Sequence, residues 1–450
     1  MTIPIPLVVT WILVREVGRS LATPFHLLVF LLQRKRWVAR AQEALSEPAP
    51  TTEGAWLLRA SVQKPEAPHL FVSAGEASGE MHAANLVRTL RAAACELRIS
   101  GFGGQRLEAS GATLLWPLAD RAVMGITAVV ASLPFFVRAV ARFARLLRDD
   151  RPDLVVLVDY PGLHLVFAEL CKQHGVPVVH YVAPQYWAWG PWRMRRYAKA
   201  FSWTLTILPF EPAWFTKFGV ASRYIGHPLL DQIATTPPDQ RVVARLQQAP
   251  LVVLLPGSRA KEIRSHLPGL LQVAQELRAR APELQVVVVQ HEPSKAALVR
   301  ALVARLPLPE RAAITVHEGD MAAHLAAARL VIAKSGTGSL EAVLRGAVTI
   351  VVYLVASRLA KVLYERLVMV PFFASANLIA GEALIPEFGF AGAEGNRAVA
   401  RKAAELLPDG PDRTAVLAGT ARVRARLRTG GATARAAACI LASLRLTSAS

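Results

Sequence analysis

From His69 onward the chain repeats one pattern. A short, unbroken apolar run ends in a glycine, proline or acidic loop, and a stretch with helical periodicity follows. The runs are HLFVSAG, LVVLVDYPG, PVVHYVAP, LVVLLPGSR, QVVVVQ, AITVHEG and RLVIAKSGTGS, with GEMHAANLVRTLRAA, LHLVFAELCKQHG and LLQVAQELRARAP among the intervening helices. A strand that is apolar at every residue, rather than at alternate ones, must be covered on both faces. That is the situation of a parallel sheet sandwiched between helices. The expected class is therefore α/β, with doubly wound sheets. The pattern pauses at a Pro-rich polar stretch, residues 232–248, which reads as an interdomain linker. The expected divisions are an extension and linker over 1–65, one α/β domain over 66–235, a second over 245–415, and a C-terminal helix in 416–450 that packs back on the first domain.

The N-terminus does not share the pattern. Residues 3–14 (IPIPLVVTWILV) and 21–32 (LATPFHLLVFLL) are apolar, separated by Arg15, Glu16 and Arg19 and closed by Arg34-Lys35-Arg36. Each run is about 12 residues, short of the ~20 that span a bilayer as a helix. No charge precedes the first run and no small-residue cleavage site follows, so a signal peptide fits poorly. A single membrane-spanning helix would carry three charges at its centre, which is costly. Interfacial insertion, with the basic run at anionic headgroups, is the favoured reading, and packing on the main domain is the alternative. Residues 41–68, rich in Ala, Glu, Pro and Thr, read as a linker.

Composition narrows the partners. Hydrophobic residues at 53% and charged residues at 19% exclude a disordered chain. Three widely spaced cysteines, Cys95, Cys171 and Cys439, exclude a disulfide scaffold and a structural zinc site, and fit a reducing compartment. The 52 Lys+Arg against 33 Asp+Glu give a formal charge of +19. Nucleotide phosphates and anionic lipid are open partners for so many guanidinium groups. Nucleic acid is not expected, because the basic residues are scattered over both halves rather than gathered in one stripe.

In doubly wound sheets ligands sit past the carboxyl ends of the strands, so the loops carry the chemistry. Lys334-Ser335-Gly336-Thr337-Gly338-Ser339-Leu340-Glu341 follows a strand and opens a helix. Its glycines admit close backbone approach to an anion at a helix N-terminus, and Glu341 is placed to take a ribose diol. The spacing is not that of a Walker A loop, and an ordinary N-capped helix is the competing reading. Ser258 and Arg259 end another strand, where a guanidinium could neutralise a diphosphate; the plain alternative is a surface arginine. Asp159 ends LVVLVD before Tyr160-Pro161, either as a proton acceptor for a sugar hydroxyl or as a helix cap. The aromatic run from His180 to Trp189 suits sugar stacking, lipid contact or a plain core, and His227 suits a phosphate or a turn.

In this order, FVSAGEASGE, GFGGQRL, AVMGI, VDYPG, HYVAPQYWAW, ILPFEPAWF, YIGHPLLD, LLPGSR, KSGTGSLEA and SANLIAGEALIPE resemble the lipid-A-disaccharide synthase family, collinearly from about residue 70 to 387. The resemblance implies a GT-B-like fold, two Rossmann-type domains facing across a cleft. It implies an inverting glycosyltransferase that moves 2,3-diacylglucosamine from UDP to 2,3-diacylglucosamine 1-phosphate, forming a β(1→6) disaccharide and UDP. It implies no cofactor and no metal, and no metal-ligand cluster is evident in the sequence. Asp159 then falls on the proposed general base; Ser258, Arg259, Ser335, Gly336, Thr337, Glu341 and Asn377 fall on the UDP-binding segments. Gly75, Glu76, Ser78, Glu80, His164, His180 and Trp187 are expected on the acceptor side of the cleft.

The sequence departs from the family pattern at Gly162, which replaces a second Asp, at Leu163-His164, which replaces Phe-Asn, and at Glu80, Gln185, Tyr186 and Ala376. His164 is expected as a polar partner that shares the proton of Asp159. A peripheral or interfacially anchored enzyme at the cytoplasmic face of the inner membrane follows, with anionic lipid as a partner and a homodimer left open. The rivals are a divergent paralogue with another acceptor or no turnover, and a UDP-sugar 2-epimerase on the same two-domain fold.

Overall fold

The structure is a computed structural model, and it describes residues 4–48, 50, 67–119, 132–319, 321–355, 357–390, 392–427 and 430–446. The chain forms two compact units, Met1–Pro228 with Gly430–Ser450, and Leu229–Thr429.

The first unit holds a seven-stranded sheet: β1 His69–Ala74, β2 Arg98–Phe102, β3 Thr113–Trp116, β4 Leu154–Val158, β5 Val178–Tyr181, β6 Trp203–Thr206 and β7 Ser222–Tyr224. The order is β3-β2-β1-β4-β5-β6-β7, parallel throughout. Alternation along β1 separates the two covered faces. Leu70, Val72 and Ala74 join a core with Leu86, Val87 and Leu90 of helix Ala77–Ala93 and with Ala436, Ile440 and Leu444 of helix Ala432–Leu446. On the other face Phe71 meets Phe102 edge-on at 5.0 Å, and Phe143 stacks on Phe167 at 4.2 Å.

The second unit repeats the scheme with six parallel strands: β8 Leu251–Leu255, β9 Gln285–Gln290, β10 Ile314–Glu318, β11 Leu330–Lys334, β12 Thr349–Leu354 and β13 Glu387–Phe390, in the order β10-β9-β8-β11-β12-β13. Val252, Val253 and Leu254 of β8 and Val331, Ile332 and Ala333 of β11 are all fully buried, as an apolar run at every position requires. The apolar runs marked the central strands. They did not mark β2, β3, β6, β7, β12 or β13, several of which are three to five residues long and broken by Gly, Ser, Thr or Trp.

Three expectations about connections change. Residues 232–248 are not an open linker: they fall largely within helices Pro228–Thr235 and Gln240–Leu246. The N-terminal part of the stretch 41–68 is the end of a helix, Arg34–Ser46, while 51–66 and the AVMGI motif at 122–126 lie outside the described residues. Within 416–450, helix Pro411–Leu427 lies wholly in the second unit and only Gly430–Ser450 joins the first.

The N-terminal segment forms helices Ile5–Leu21, Thr23–Leu32 and Arg34–Ser46. The first runs straight through Arg15, Glu16 and Arg19, because those charges are paired inside the unit. Glu169 accepts from Arg15, from Arg19 at 3.2 Å and from Arg196 at 2.7 Å, and Arg196 also reaches Glu16 at 2.7 Å. Burial alone would raise the Glu169 carboxyl, but the arginines, Arg196 foremost, hold it below the usual range. Phe30 packs edge-on against Trp192 and Trp37 stacks on Phe218. Among the described residues no helix is long and apolar enough to cross a membrane.

Candidate active site

In each sheet the strand order turns back at one point, between β1 and β4 in the first unit and between β8 and β11 in the second. Loops leaving the carboxyl ends of those paired strands border a crevice where ligands bind. The register fixes which loops these are. Ala74 pairs with Val158, bringing together Gly75–Glu80 and Asp159–Gly162. Leu255 pairs with Ala333, bringing together Pro256–Arg259 and Ser335–Ser339.

The turn after β4 is strained. Asp159 (φ 52°) and Tyr160 (φ 53°) both lie in the left-handed region, which costs an L-residue roughly 1–2 kcal/mol. The Tyr160 ring lies against Gly75, where an added Cβ would overlap it, so only glycine fits there. Burial first, and then Glu76, push the Tyr160 hydroxyl up to about 12. Asp159 is half-buried, and its N–H donates to Tyr181 at 2.9 Å. Its carbonyl oxygen accepts from two histidines, His164 Nδ1 at 2.6 Å and His180 Nε2 at 3.1 Å.

These contacts revise the expected acceptor residues. His164 is fully buried, Ser73 Oγ lies 2.9 Å from its Nε2, and burial followed by repulsion from His180 pushes its pKa down to about 3. It stays neutral with both nitrogens engaged and cannot share a proton with the Asp159 carboxylate. Glu80 is buried and accepts from Arg106 and Leu107 N–H at 2.9 and 3.1 Å, pinning the short helix Gln105–Ala109. Trp187 is buried and donates to Glu211 at 3.1 Å. Glu211 also accepts from the backbones of Ile207 and Leu208, and burial pushes it up to about 7. Glu80, His164, His180 and Trp187 thus belong to the scaffold of this site. Gly75, Glu76 and Ser78 remain at the crevice loop, with Glu76 half-buried and Ser78 exposed.

In the second unit Gly257 (φ 114°) turns the chain after β8 so that Ser258 and Arg259 emerge exposed at the start of helix Ala260–Arg280. One carboxylate collects donors from the loop after β8 and from the last residue of β11. Glu262 accepts from the Ser258 and Arg259 N–H groups at 3.3 and 3.4 Å, from the Arg259 guanidinium at 3.2 Å and from Lys334 Nζ at 2.9 Å. Burial would raise Glu262, yet Lys334 and then Arg259 hold it below the usual carboxylate range. Two backbone donors, an ammonium and a guanidinium converging on one anion is the arrangement a phosphate needs.

Beside them, Thr337 is exposed at the first turn of helix Thr337–Leu344, Ser335 donates to Phe373 O at 2.9 Å, and Ser339 links to Gly336. Glu341 is buried and ion-paired with Arg345 at 2.9 Å, which ties down the group expected at the ribose. Asn377 is also buried. Its amide donates to Ile385 O and Glu387 and accepts from Leu384 and Ile385 N–H, so it shapes the 377–387 loop. Lys334, Glu262, Ser73 and Tyr160 were assigned no role of their own from the sequence. The signal for Glu262 was present as an acidic residue three past Arg259, the spacing of a first-turn cap. Ser73 and Tyr160 carried no comparable signal.

Comparison with known proteins follows the same loops. A family model described as lipid-A-disaccharide synthetase matches residues 70–438. A lipid-A-disaccharide synthase of Acidobacterium capsulatum is 37% identical over 381 residues, covering 82% of this chain and 94% of the relative. One from Myxococcus xanthus is 35% identical over 387 residues, covering 83% and 97%. Among solved structures, a putative UDP-N-acetylglucosamine 2-epimerase from Listeria monocytogenes superposes with a TM-score of 0.59 at 14% identity, over 85% of this chain and 98% of that one. The glycotransferase of kitacinnamycin gives 0.57 at 18%, over 84% and 99%. At such identities the structural likeness speaks for the GT-B-like fold and leaves the epimerase reading without support. The sequence matches, spanning both units and all four crevice loops, settle the family: the chain belongs to the lipid-A-disaccharide synthases, which are glycosyltransferases.

Proposed function

We propose that this chain transfers 2,3-diacylglucosamine from its UDP donor to 2,3-diacylglucosamine 1-phosphate with inversion at the anomeric carbon. The Asp159 carboxylate takes the proton of the acceptor 6-hydroxyl. That oxygen bonds to the donor C1 as the C1–O bond to the diphosphate breaks, and UDP leaves with the electron pair. The diphosphate is held by the Ser258 and Arg259 N–H groups, the Arg259 guanidinium and Lys334, with Ser335, Gly336 and Thr337 at the adjoining helix N-terminus. Glu262 bonds these same donors and fixes their positions. Glu341 and Asn377 act from behind the nucleotide loops, Glu341 by fixing Arg345 and Asn377 by fixing the loop after it.

The single observation that carries this reading is the family match across residues 70–438, which contains both pairs of crevice loops. Its test is mass spectrometry of the products formed from UDP-diacylglucosamine and diacylglucosamine 1-phosphate. Appearance of the tetraacyl disaccharide monophosphate together with UDP is expected. Release of a free UDP-sugar isomer, or no product with any UDP-sugar, would overturn it.

We also infer that the first two N-terminal helices rest on an anionic bilayer surface at the cytoplasmic side of the inner membrane. Leu7, Trp11, Val14 and Leu21 are exposed on the first helix while Ile5, Val9 and Ile12 face the protein, and Phe25, Leu28 and Leu32 are exposed on the second. The basic run Arg34–Arg36 follows directly. These helices precede the stretch that matches the family model. Replacing Trp11, Phe25 and Leu28 together by serine should cut sedimentation with phosphatidylglycerol vesicles severalfold at unchanged solution activity. Undiminished sedimentation would remove this assignment.

A further inference from the structure

The contact pattern around the turn after β4 has a second level. A carbonyl oxygen can only accept, so the nitrogen that faces Asp159 O in each histidine must carry the hydrogen. His164 is therefore the Nδ1–H tautomer, and its Nε2 accepts from the Ser73 hydroxyl at 2.9 Å. His180 is the opposite, Nε2–H tautomer. Its Nδ1 accepts from the Tyr197 hydroxyl at 3.0 Å, whose oxygen accepts in turn from Thr204 at 2.7 Å. Two neutral rings of opposite tautomer thus converge on the two lone pairs of one peptide oxygen. Ser73 on β1 holds His164 directly and Thr204 on β6 holds His180 through Tyr197, from opposite sides of the sheet order. All four side chains, His164, His180, Ser73 and Thr204, are completely buried.

We propose that His164 and His180 are positioning residues, which together grip the Asp159 carbonyl oxygen and so aim the Asp159 carboxylate. The inference rests on Asp159 being the base. The physical need is clear from the backbone: Asp159 and Tyr160 are non-glycine residues at φ 52° and 53°, and such a turn persists only when its surroundings over-determine it. A peptide oxygen fixed from two sides sets the orientation of the residue that carries it. Burial keeps both rings uncharged, with pKa values pushed down to about 3 for His164 and about 4 for His180, so each presents one donor and one acceptor throughout the working range. Misplacing a reacting group by about an ångström can cost 10²-fold in rate.

The experiment uses the full chain and asks which nitrogen matters. An asparagine amide mimics a histidine Nδ1 and a glutamine amide mimics Nε2. His164→Asn and His180→Gln each keep the donor to Asp159 O, and kcat is expected within about fivefold of the parent. His164→Gln, His180→Asn and the two leucine variants lose it, and kcat is expected to fall on the order of 10²-fold with the donor KM within about twofold. A role in packing alone would rank the variants by volume instead, and that ranking would overturn the proposal. Should the leucine variants fail to fold, 15N spectra of histidine-labelled parent enzyme decide: Nδ1–H on His164 and Nε2–H on His180 support the clamp, and any other pair of tautomers overturns it. Failure of the base reading looks different, as retained activity in Asp159→Asn. Failure of the clamp alone is an inactive Asp159→Asn beside histidine variants that all remain active.

Discussion

Each unit places a tight turn at the carboxyl end of a central strand, but the two turns are built differently. After β8 the chain reverses at Gly257 (φ 114°), which reaches that conformation freely, and an added Cβ would come within 2.9 Å of Glu262 Cβ. After β4 the chain reverses at Asp159 and Tyr160, which do not, and two buried histidines and the close contact of Tyr160 with Gly75 hold them. Glycine suffices where the backbone itself is the ligand-binding group, as in a phosphate cradle. A turn that must present a side chain at its apex cannot use glycine, and the strain is offset by contacts from the surrounding scaffold.

The comparison breaks most visibly at its apex residue. Asp159→Asn keeps shape and backbone and removes basicity. General-base assistance is worth about 10²–10⁴ in rate, so kcat should drop by that order while calorimetric UDP affinity stays near that of the parent. Full activity in Asp159→Asn would mean that the strained turn serves something other than proton transfer.

The glycine turn should show the reverse split. Arg259→Ala and Lys334→Met each remove a charged donor from the anion cradle, and each should weaken UDP binding by about 1.5–3 kcal/mol, or roughly 10–150-fold. In both variants the 15N tautomers of His164 and His180 should not change. If UDP affinity by calorimetry is unaltered in both, the convergence on Glu262 is a helix cap and no more.

This difference in construction also decides what the sequence could reveal. LVVLLPGSR and RLVIAKSGTGS display their glycines openly, and the central strands, the crevice loops of the second unit and Arg259 were readable from them. Asp159 was readable as a carboxylate ending a strand. Its supports were not: Ser73, His164 and His180 come from three separate elements, and only the fold brings the two histidines to one carbonyl with Ser73 behind His164. His164 looked like a proton partner because its residue type permits that role, whereas complete burial assigns it the opposite one. Glu80, Glu341 and Asn377 were read as ligand contacts for the same reason; polar residues in a loop motif cannot be sorted into those that face a ligand and those that hold the loop until their hydrogen bonds are seen. The charges of the first helix were read as an interruption, because their partners Glu169 and Arg196 lie some 150 residues or more away.

The smallest effect is on stability, and it separates the two turns by pH. His164 has a folded pKa of about 3 against the ordinary 6.5, so between those values the unfolded chain binds a proton that the folded chain does not. Stability from this residue is complete above pH 6.5 and is lost as pH falls below it. From pH 7.5 to 5.5 the loss is about 1.4 kcal/mol, because one unit of pKa difference is about 1.4 kcal/mol and most of the unfolded-state titration falls in that window. His164→Asn removes the titrating group while keeping the donor to Asp159. The other buried histidines contribute equally to parent and variant and cancel in the difference. The difference in unfolding free energy between the two pH values, from urea titrations, should therefore shrink by about that amount in His164→Asn relative to the parent, whereas Gly257→Ala, which alters a turn whose own residues Pro256 to Arg259 do not titrate in this range, should lower stability equally at both. An identical pH slope in parent and His164→Asn would show that His164 titrates alike folded and unfolded, and the neutral, two-sided hydrogen bonding assigned to it would fall.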